Sequence, residues 1–129
     1  MMPLMAEYLD RIVQLCRDRG VALVLVKTPT VIHTPGRSRA VQDYADEHGL
    51  LFVDFNHTDY YYSELSYDFW SDNGDGEHAN LWGAEKLTDY MGTLLYDELG
   101  VEGGGPHPQW DEACERRYAA VEALEEWVE

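Results

Sequence analysis

The chain has 129 residues, of which 45% are hydrophobic, and its 25 acidic against 9 basic side chains give a formal net charge of -16. This length corresponds to one domain with a single modest core. The charge argues against a nucleic-acid partner, because binding phosphates requires clustered Lys and Arg, and the sequence contains no such cluster. No segment approaches the roughly 20 apolar residues of a membrane span, so none is predicted.

The excess negative charge is confined to the part of the chain after residue 56. Residues 1–56 carry 7 acids and 6 bases, whereas residues 57–100 carry 10 acids and 1 base. Two cysteines, Cys16 and Cys114, lie far apart in predicted helices, so no disulfide framework is expected. The first residues lack the pattern of a signal peptide. The sequence as written predicts a cytoplasmic location, and export if a further N-terminal region belongs to the protein.

Helices and strands are predicted to alternate in the first half of the chain. Apolar residues recur at spacings of three and four between Leu4 and Cys16, which predicts an amphipathic helix that ends at Gly20. The continuous apolar run 21–26 predicts a strand that is covered on both faces in a parallel sheet. A second helix at 40–48, stopped by Gly49, precedes a second buried strand at 50–55. This alternation predicts an α/β fold.

The second half of the chain begins with a long polar and aromatic loop over residues 56–79. A third helix is predicted from Asn80, as its N-cap, to Leu99. Residues 103–106 read GGGP and predict a flexible break. Residues 110–127 then predict an acidic helix with one apolar stripe.

The most informative pair of residues is Asp75 and His78, which stand three positions apart just before the third helix. A carboxylate at this spacing can accept a hydrogen bond from the imidazole Nδ1–H. It then fixes the tautomer, stabilises the imidazolium and leaves Nε2 free to act as a general base. The pair is therefore the candidate catalytic site.

Residues 75–86 read DGEHANLWGAEK and resemble the last conserved segment of the SGNH, or GDSL-type, hydrolases, which carry Asp-x-x-His, then Asn and a Gly-Ala-x-Lys helix. The likeness extends to residues 8–13, 24–30 and 52–55. It implies a partial flavodoxin-like α/β fold that lacks the N-terminal strands of the family. Residues 1–100 would form the C-terminal half of such a domain, and 101–129 a Gly/Pro break with an acidic helix. By this resemblance, His78 matches the catalytic base and Asp75 the residue that orients it.

The nucleophile of the family has no counterpart in this sequence. None of the four serines follows Gly-Asp, as the nucleophilic serine of these enzymes does: Ser38, Ser63, Ser66 and Ser71. The resemblance therefore implies a hydrolase remnant that is inactive alone, and whether the chain is an enzyme stays open. The implied reaction is acyl-ester hydrolysis or acyl transfer, on an acyl ester or acetylated carbohydrate, and it requires no cofactor.

Two segments are candidates for lining a substrate site. Thr28, Pro29 and Thr30 follow the first strand, at the end of a parallel sheet where ligands bind, although a simple turn is the alternative. The loop after the second strand holds six aromatic residues: Tyr60, Tyr61, Tyr62, Tyr67, Phe69 and Trp70. Tyr67 and Trp70 are the candidates there, and covering the core or a subunit contact is the alternative.

A non-catalytic module that binds or assembles through the aromatic loop and the acidic helix is the competing interpretation. Two strands leave a sheet edge uncovered, which predicts a homo-oligomer. No metal site is predicted. Residues 71–76 resemble the start of a calcium loop, but Trp82 occupies the position that requires a bidentate Glu, and Cys and His do not cluster for zinc.

Overall fold

The computed structural model of the chain describes residues 3–57 and 64–128. Its elements, in chain order, are α1 (Pro3–Asp18), β1 (Val24–Lys27), α2 (Pro35–His48), β2 (Leu51–Asp54), α3 (Leu81–Leu99) and α4 (Pro108–Val128). The predicted mixture of helices and strands is confirmed.

The two strands form a parallel sheet in which Val24 pairs with Leu51 and Lys27 with Asp54. Helix α2 makes the crossover that two parallel strands require. Val24 packs against the core, but Val26 is 44% exposed. The prediction that the first strand is covered on both faces is therefore wrong, because an apolar run does not determine how far other elements extend over it.

The main core lies between β2, the segment that follows residue 63, and α3. Its buried members are Val53, Phe55, Leu65 and Tyr67. Helix α3 contributes Leu87, Tyr90, Met91 and Leu94 to this core, and the rings of Phe55 and Tyr90 meet edge to face with centroids 5.5 Å apart. This packing holds α3, and the turn that precedes it, against the end of the sheet.

Glycines end the helices where the sequence predicted. Gly49 adopts the left-handed conformation with φ 62°, and the amide of Leu50 donates to the carbonyl of Ala45. Any residue with a Cβ is disfavoured in this conformation. Helix α2 begins at Pro35, five residues before the apolar pattern indicated, because proline is well suited to the first turn of a helix.

The chain divides into two compact units, Met1–Leu99 and Gly100–Glu129. The second unit contains α4, on which Trp110 and Tyr118 are exposed. Among the helices described, none has both the length and the apolar character that crossing a bilayer demands.

Candidate functional site

Residues 73–79 form a short hairpin, here called the His78 hairpin. Asn73 and Ala79 make an antiparallel bridge, and the amide of Gly74 donates to the carbonyl of His78 at 2.9 Å. The hairpin stands directly before α3. Backbone hydrogen bonds therefore restrain this segment and fix the positions from which its side chains project.

Asp75 organises the tip of the His78 hairpin. Its Oδ1 accepts hydrogen bonds from the backbone amides of Glu77 at 2.7 Å and His78 at 2.8 Å. Its Oδ2 lies 2.9 Å from Nδ1 of His78. Because a carboxylate can only accept, Nδ1 carries the proton, and the unprotonated nitrogen of neutral His78 is Nε2. The predicted geometry of the pair is thus present.

The two side chains shift each other's protonation. Hydrogen bonds from the Glu77 amide and from His78 lower the pKa of Asp75 to about 2. The hydrogen bond and the charge of Asp75 raise the pKa of His78 above its ordinary value. The side chains are 77% exposed for His78 and 60% for Asp75, so water screens their attraction. The pair favours the imidazolium, which is the form that a general base reaches after it takes a proton.

Asn80 joins the His78 hairpin to α3. Its Oδ1 accepts from the amide of Gly83 at 3.1 Å, which is the N-cap that the sequence predicted. Its Nδ2 donates to the carbonyl of Ser71 at 2.6 Å, and its amide donates to the carbonyl of Asp72 at 2.8 Å. Asn80 therefore accepts a hydrogen bond from an amide in the first turn of α3 and also connects the two ends of the hairpin.

The loop after β1 lies against the His78 hairpin. The amide of Val31 donates to the carbonyl of Gly76 at 2.9 Å. A Cβ at Gly76 would meet Val31 Cγ2 at 2.7 Å, so any other residue at this position would require the Val31 side chain to shift. The hairpin is thus in contact with the loop that begins at the carboxyl end of β1, where open α/β sheets bind ligands.

Asn56 holds this loop, and the sequence reasoning did not single it out. Its Oδ1 accepts from the amide of Thr30 at 2.8 Å, and its Nδ2 donates to the carbonyl of Thr28 at 2.9 Å. The signal that could have marked Asn56 is its position as the first residue with an amide side chain after the second strand.

The structure separates the predicted lining residues into accessible and buried ones. Thr28 is exposed and Thr30 half-buried, and both belong to the loop that contacts the His78 hairpin. Pro29 and Tyr67 are buried, so their side chains are not open to a ligand. Trp70, the second of the two aromatic candidates, is 96% exposed and is therefore accessible. Tyr60, Tyr61, Tyr62 and Ser63 lie outside the described residues.

A second polar cluster, also missed from the sequence, lies beside the start of α2. Lys27 Nζ donates to Nδ1 of His33 at 2.9 Å and to Oγ of Ser38 at 2.7 Å, and lies 3.9 Å from Oδ2 of Asp54. Burial acts to raise the pKa of Asp54, but hydrogen bonds from Ser38 and Asn56 and the Lys27 charge outweigh it and lower that pKa. Of these residues, His33, Ser38 and Asp54 border an open cavity of about 520 Å³.

Ser38 is not placed as a nucleophile by this cluster. Its hydroxyl accepts from the Lys27 ammonium and hydrogen-bonds the Asp54 carboxylate. Lys27 Nζ is the donor in its contact with Ser38, so this contact does not remove the hydroxyl proton. Within the described ranges, no three His, Cys, Asp or Glu side chains converge as ligands for a metal ion.

Comparisons with known proteins identified no relative of this chain. No family model matches the chain, and no similar curated protein or solved structure was found.

Proposed function

We propose that Asp75 and His78 are the orienting acid and the general base of an SGNH-type acyl hydrolase or acyltransferase site. The observation that carries this proposal is the 2.9 Å contact between Asp75 Oδ2 and His78 Nδ1, on a hairpin held at its base and on its flank. The resemblance of residues 75–86 supports the same assignment. On this proposal, the two strands and their helices belong to a flavodoxin-like domain.

In the proposed reaction, a serine hydroxyl attacks the acyl carbonyl and His78 Nε2 accepts the hydroxyl proton. The imidazolium then returns that proton to the leaving alcohol, and Asp75 stabilises the cation between the two transfers. The substrate class, an acyl ester or an acetylated carbohydrate, rests on the resemblance alone. No serine of this chain matches the nucleophile of the family, because none follows Gly-Asp.

Without a nucleophile and oxyanion donors, the chain alone is expected to lack enzymatic turnover, since one such donor contributes roughly 3–4 kcal/mol to the barrier reduction. What remains is the reactivity of the His78 imidazole. We expect slow, non-saturating release of p-nitrophenol from p-nitrophenyl acetate, with a rate that follows the deprotonation of His78.

Three variants test this assignment in the same assay. His78→Ala should remove most of the protein-dependent rate, and Asp75→Asn should lower the pH at which that rate appears. His107→Ala, in the second unit, is the matched control and should leave most of the rate in place. Equal rates for His78→Ala and His107→Ala would contradict the proposal. An in-frame Gly-Asp-Ser segment in the DNA upstream of the Met1 codon would support it independently.

A second candidate, an assembly module, is favoured by one face of α1. Five large apolar side chains of this helix are exposed: Leu4, Met5, Tyr8, Ile12 and Leu15. Apolar faces of this kind mark association sites, and residues 1–56 carry little net charge to oppose a second copy. A homo-oligomer that dissociates on Ile12→Lys, observed by light scattering, would support this candidate. A strict monomer at high micromolar concentration would contradict it.

A further inference from the structure

An ion pair lies beneath the His78 hairpin, between Asp72 and Lys86. The side chain of Asp72 is 4% exposed and that of Lys86 36%, and Lys86 Nζ lies 2.7 Å from Asp72 Oδ2. The same ammonium donates to the carbonyl of Ser66 at 2.9 Å. Lys86 therefore connects α3 to the segment that leads into the hairpin.

Asp72 uses its carboxylate and its backbone to hold that segment. Oδ2 also accepts from the amide of Asp68 at 2.7 Å. The carbonyl oxygen accepts from the amide of Asn80 at 2.8 Å and from the hydroxyl of Tyr67 at 3.3 Å. Because Asp72 precedes the hairpin and Asn80 follows it, the bond between them closes the base of the hairpin.

We propose that Lys86 is a positioning residue for His78: by neutralising Asp72 it holds the base of the His78 hairpin and so maintains the contact between Asp75 and His78. Its importance for catalysis rests on the proposed function. Its effect on the Asp75–His78 contact does not, and can be measured without a substrate.

The physical reason is the cost of a buried carboxylate that loses its partner. Removing one member of a buried pair leaves an uncompensated charge, which a short loop relieves by opening toward water. Opening at Asp72 breaks the bond to Asn80, and the bridge between Asn73 and Ala79 then loses its support.

The His78 titration reports whether the hairpin is intact. The charged groups that act on His78 are Asp75 and Glu77, and both belong to the hairpin. When the hairpin opens, the carboxylate of Asp75 moves away from Nδ1, so the pKa of His78 falls toward its ordinary value of 6.5.

The sign of this change separates positioning from a simple charge effect. Removing a cation from a chain of net charge -16 makes its surroundings more negative, which raises the pKa of a histidine. Positioning predicts the opposite direction for Lys86→Met. Arg116→Met removes a cation of an exposed pair in the second unit and serves as the charge control.

The experiment is an NMR titration of the His78 ring in the native chain and in the variants. Lys86→Met is expected to lower the midpoint at least half of the way to the value in Asp75→Asn. Lys86→Arg is expected to restore it, and Arg116→Met should not lower it. Val13→Ala is the stability control, because it removes a buried contact of α1 and should leave the His78 midpoint unchanged.

A folded Lys86→Met protein with an unchanged or raised His78 midpoint would overturn the proposal. If that variant does not fold, the double variant Asp72→Asn/Lys86→Met removes both charges and keeps an oxygen acceptor at residue 72. A near-native midpoint in the folded double variant would support the proposal, because no buried charge is then left without a partner, whereas a midpoint as low as that of Asp75→Asn would overturn it. Failure of the ester assay would affect the proposed function and leave this result intact.

Discussion

Two glycines of α3, each replaced by alanine, test how this helix packs against the residues that precede the His78 hairpin. Gly83 is buried in the first turn of the helix, where an added Cβ would lie 2.2 Å from the carbonyl oxygen of Asp72 and 3.0 Å from the Tyr67 ring. Gly92 lies in the middle of the same helix, and a Cβ there meets nothing within 4 Å. The same substitution therefore has opposite consequences at the two positions.

The expected magnitudes follow from these distances. Replacing a helical glycine by alanine stabilises the helix by roughly 0.5–1 kcal/mol, because the unfolded chain loses conformational freedom. Gly92→Ala should gain this amount. At Gly83 the obstacle is a backbone oxygen, which cannot rotate away, and overpacking of this kind costs about 1–3 kcal/mol or somewhat more. Gly83→Ala should therefore lower the free energy of unfolding by about 1–2 kcal/mol after the helix gain.

Urea unfolding monitored by circular dichroism measures both variants on the same scale. Because the carbonyl of Asp72 also accepts from Asn80, the Gly83→Ala variant should lower the His78 titration midpoint, whereas Gly92→Ala should not. Equal stability of the two variants would refute the close contact between α3 and Asp72. A destabilised Gly83→Ala protein with a native His78 midpoint would refute the connection from that contact to the site.

Three further predictions concern the site and the core. The raised pKa of His78 stabilises the fold below pH 6.5, and this contribution is lost as pH rises through the pKa of His78 in the folded protein. The lowered pKa of Asp75 stabilises the fold above pH 3.8, and that contribution is lost as pH falls toward about 2. The stability difference between native and Asp75→Asn, from urea unfolding, should thus be largest between these values. It should fall only in part as pH rises through the folded pKa of His78, because the amides of Glu77 and His78 still bond to Asp75, and it should be lost as pH falls toward about 2. Phe55→Ala removes a ring that is fully buried and should cost about 3–5 kcal/mol in the same assay, and a loss below about 1 kcal/mol would contradict its place in the core. Asn80→Ala removes the N-cap and the bond to the loop, so a loss of about 1–2 kcal/mol is expected, and native stability would show that the cap is unimportant.

The helices were predictable because their signals are local. The spacing of apolar residues and the glycine stops at Gly20, Gly49 and Gly100 act within a few residues of each helix end. The extent of β1 was not predictable in the same way. The first three residues of the predicted apolar run, 21–23, lie outside β1, because a strand extends only where a partner strand pairs with it.

The same distinction applies to the site. Asp75 and His78 are three residues apart, so their spacing alone indicates the hydrogen bond that the structure contains. Asn56 hydrogen-bonds to Thr30 and Thr28, which precede it by 26 and 28 positions. Lys86 bonds to Asp72, which precedes it by 14 positions. Pairings at such separations depend on how α3 and the loops pack on the sheet, and no local pattern encodes them.

The His78 hairpin is held firmly at its base and open at its tip, and this division bears on what the site can do. Base and flank are restrained by Lys86, Asn80 and Val31, whereas Nε2 of His78 receives no hydrogen bond from any residue that the structure describes. In water, the attraction between Asp75 and the imidazolium is weak because the dielectric constant is high. A surface that covered the hairpin would lower the local dielectric constant and strengthen this attraction, which raises the basicity of Nε2, but it would also desolvate the imidazolium, which lowers that basicity. On the proposed function, the hairpin supplies the restraint that a general base needs, and a covering group would set the basicity of Nε2 through the balance of these two effects.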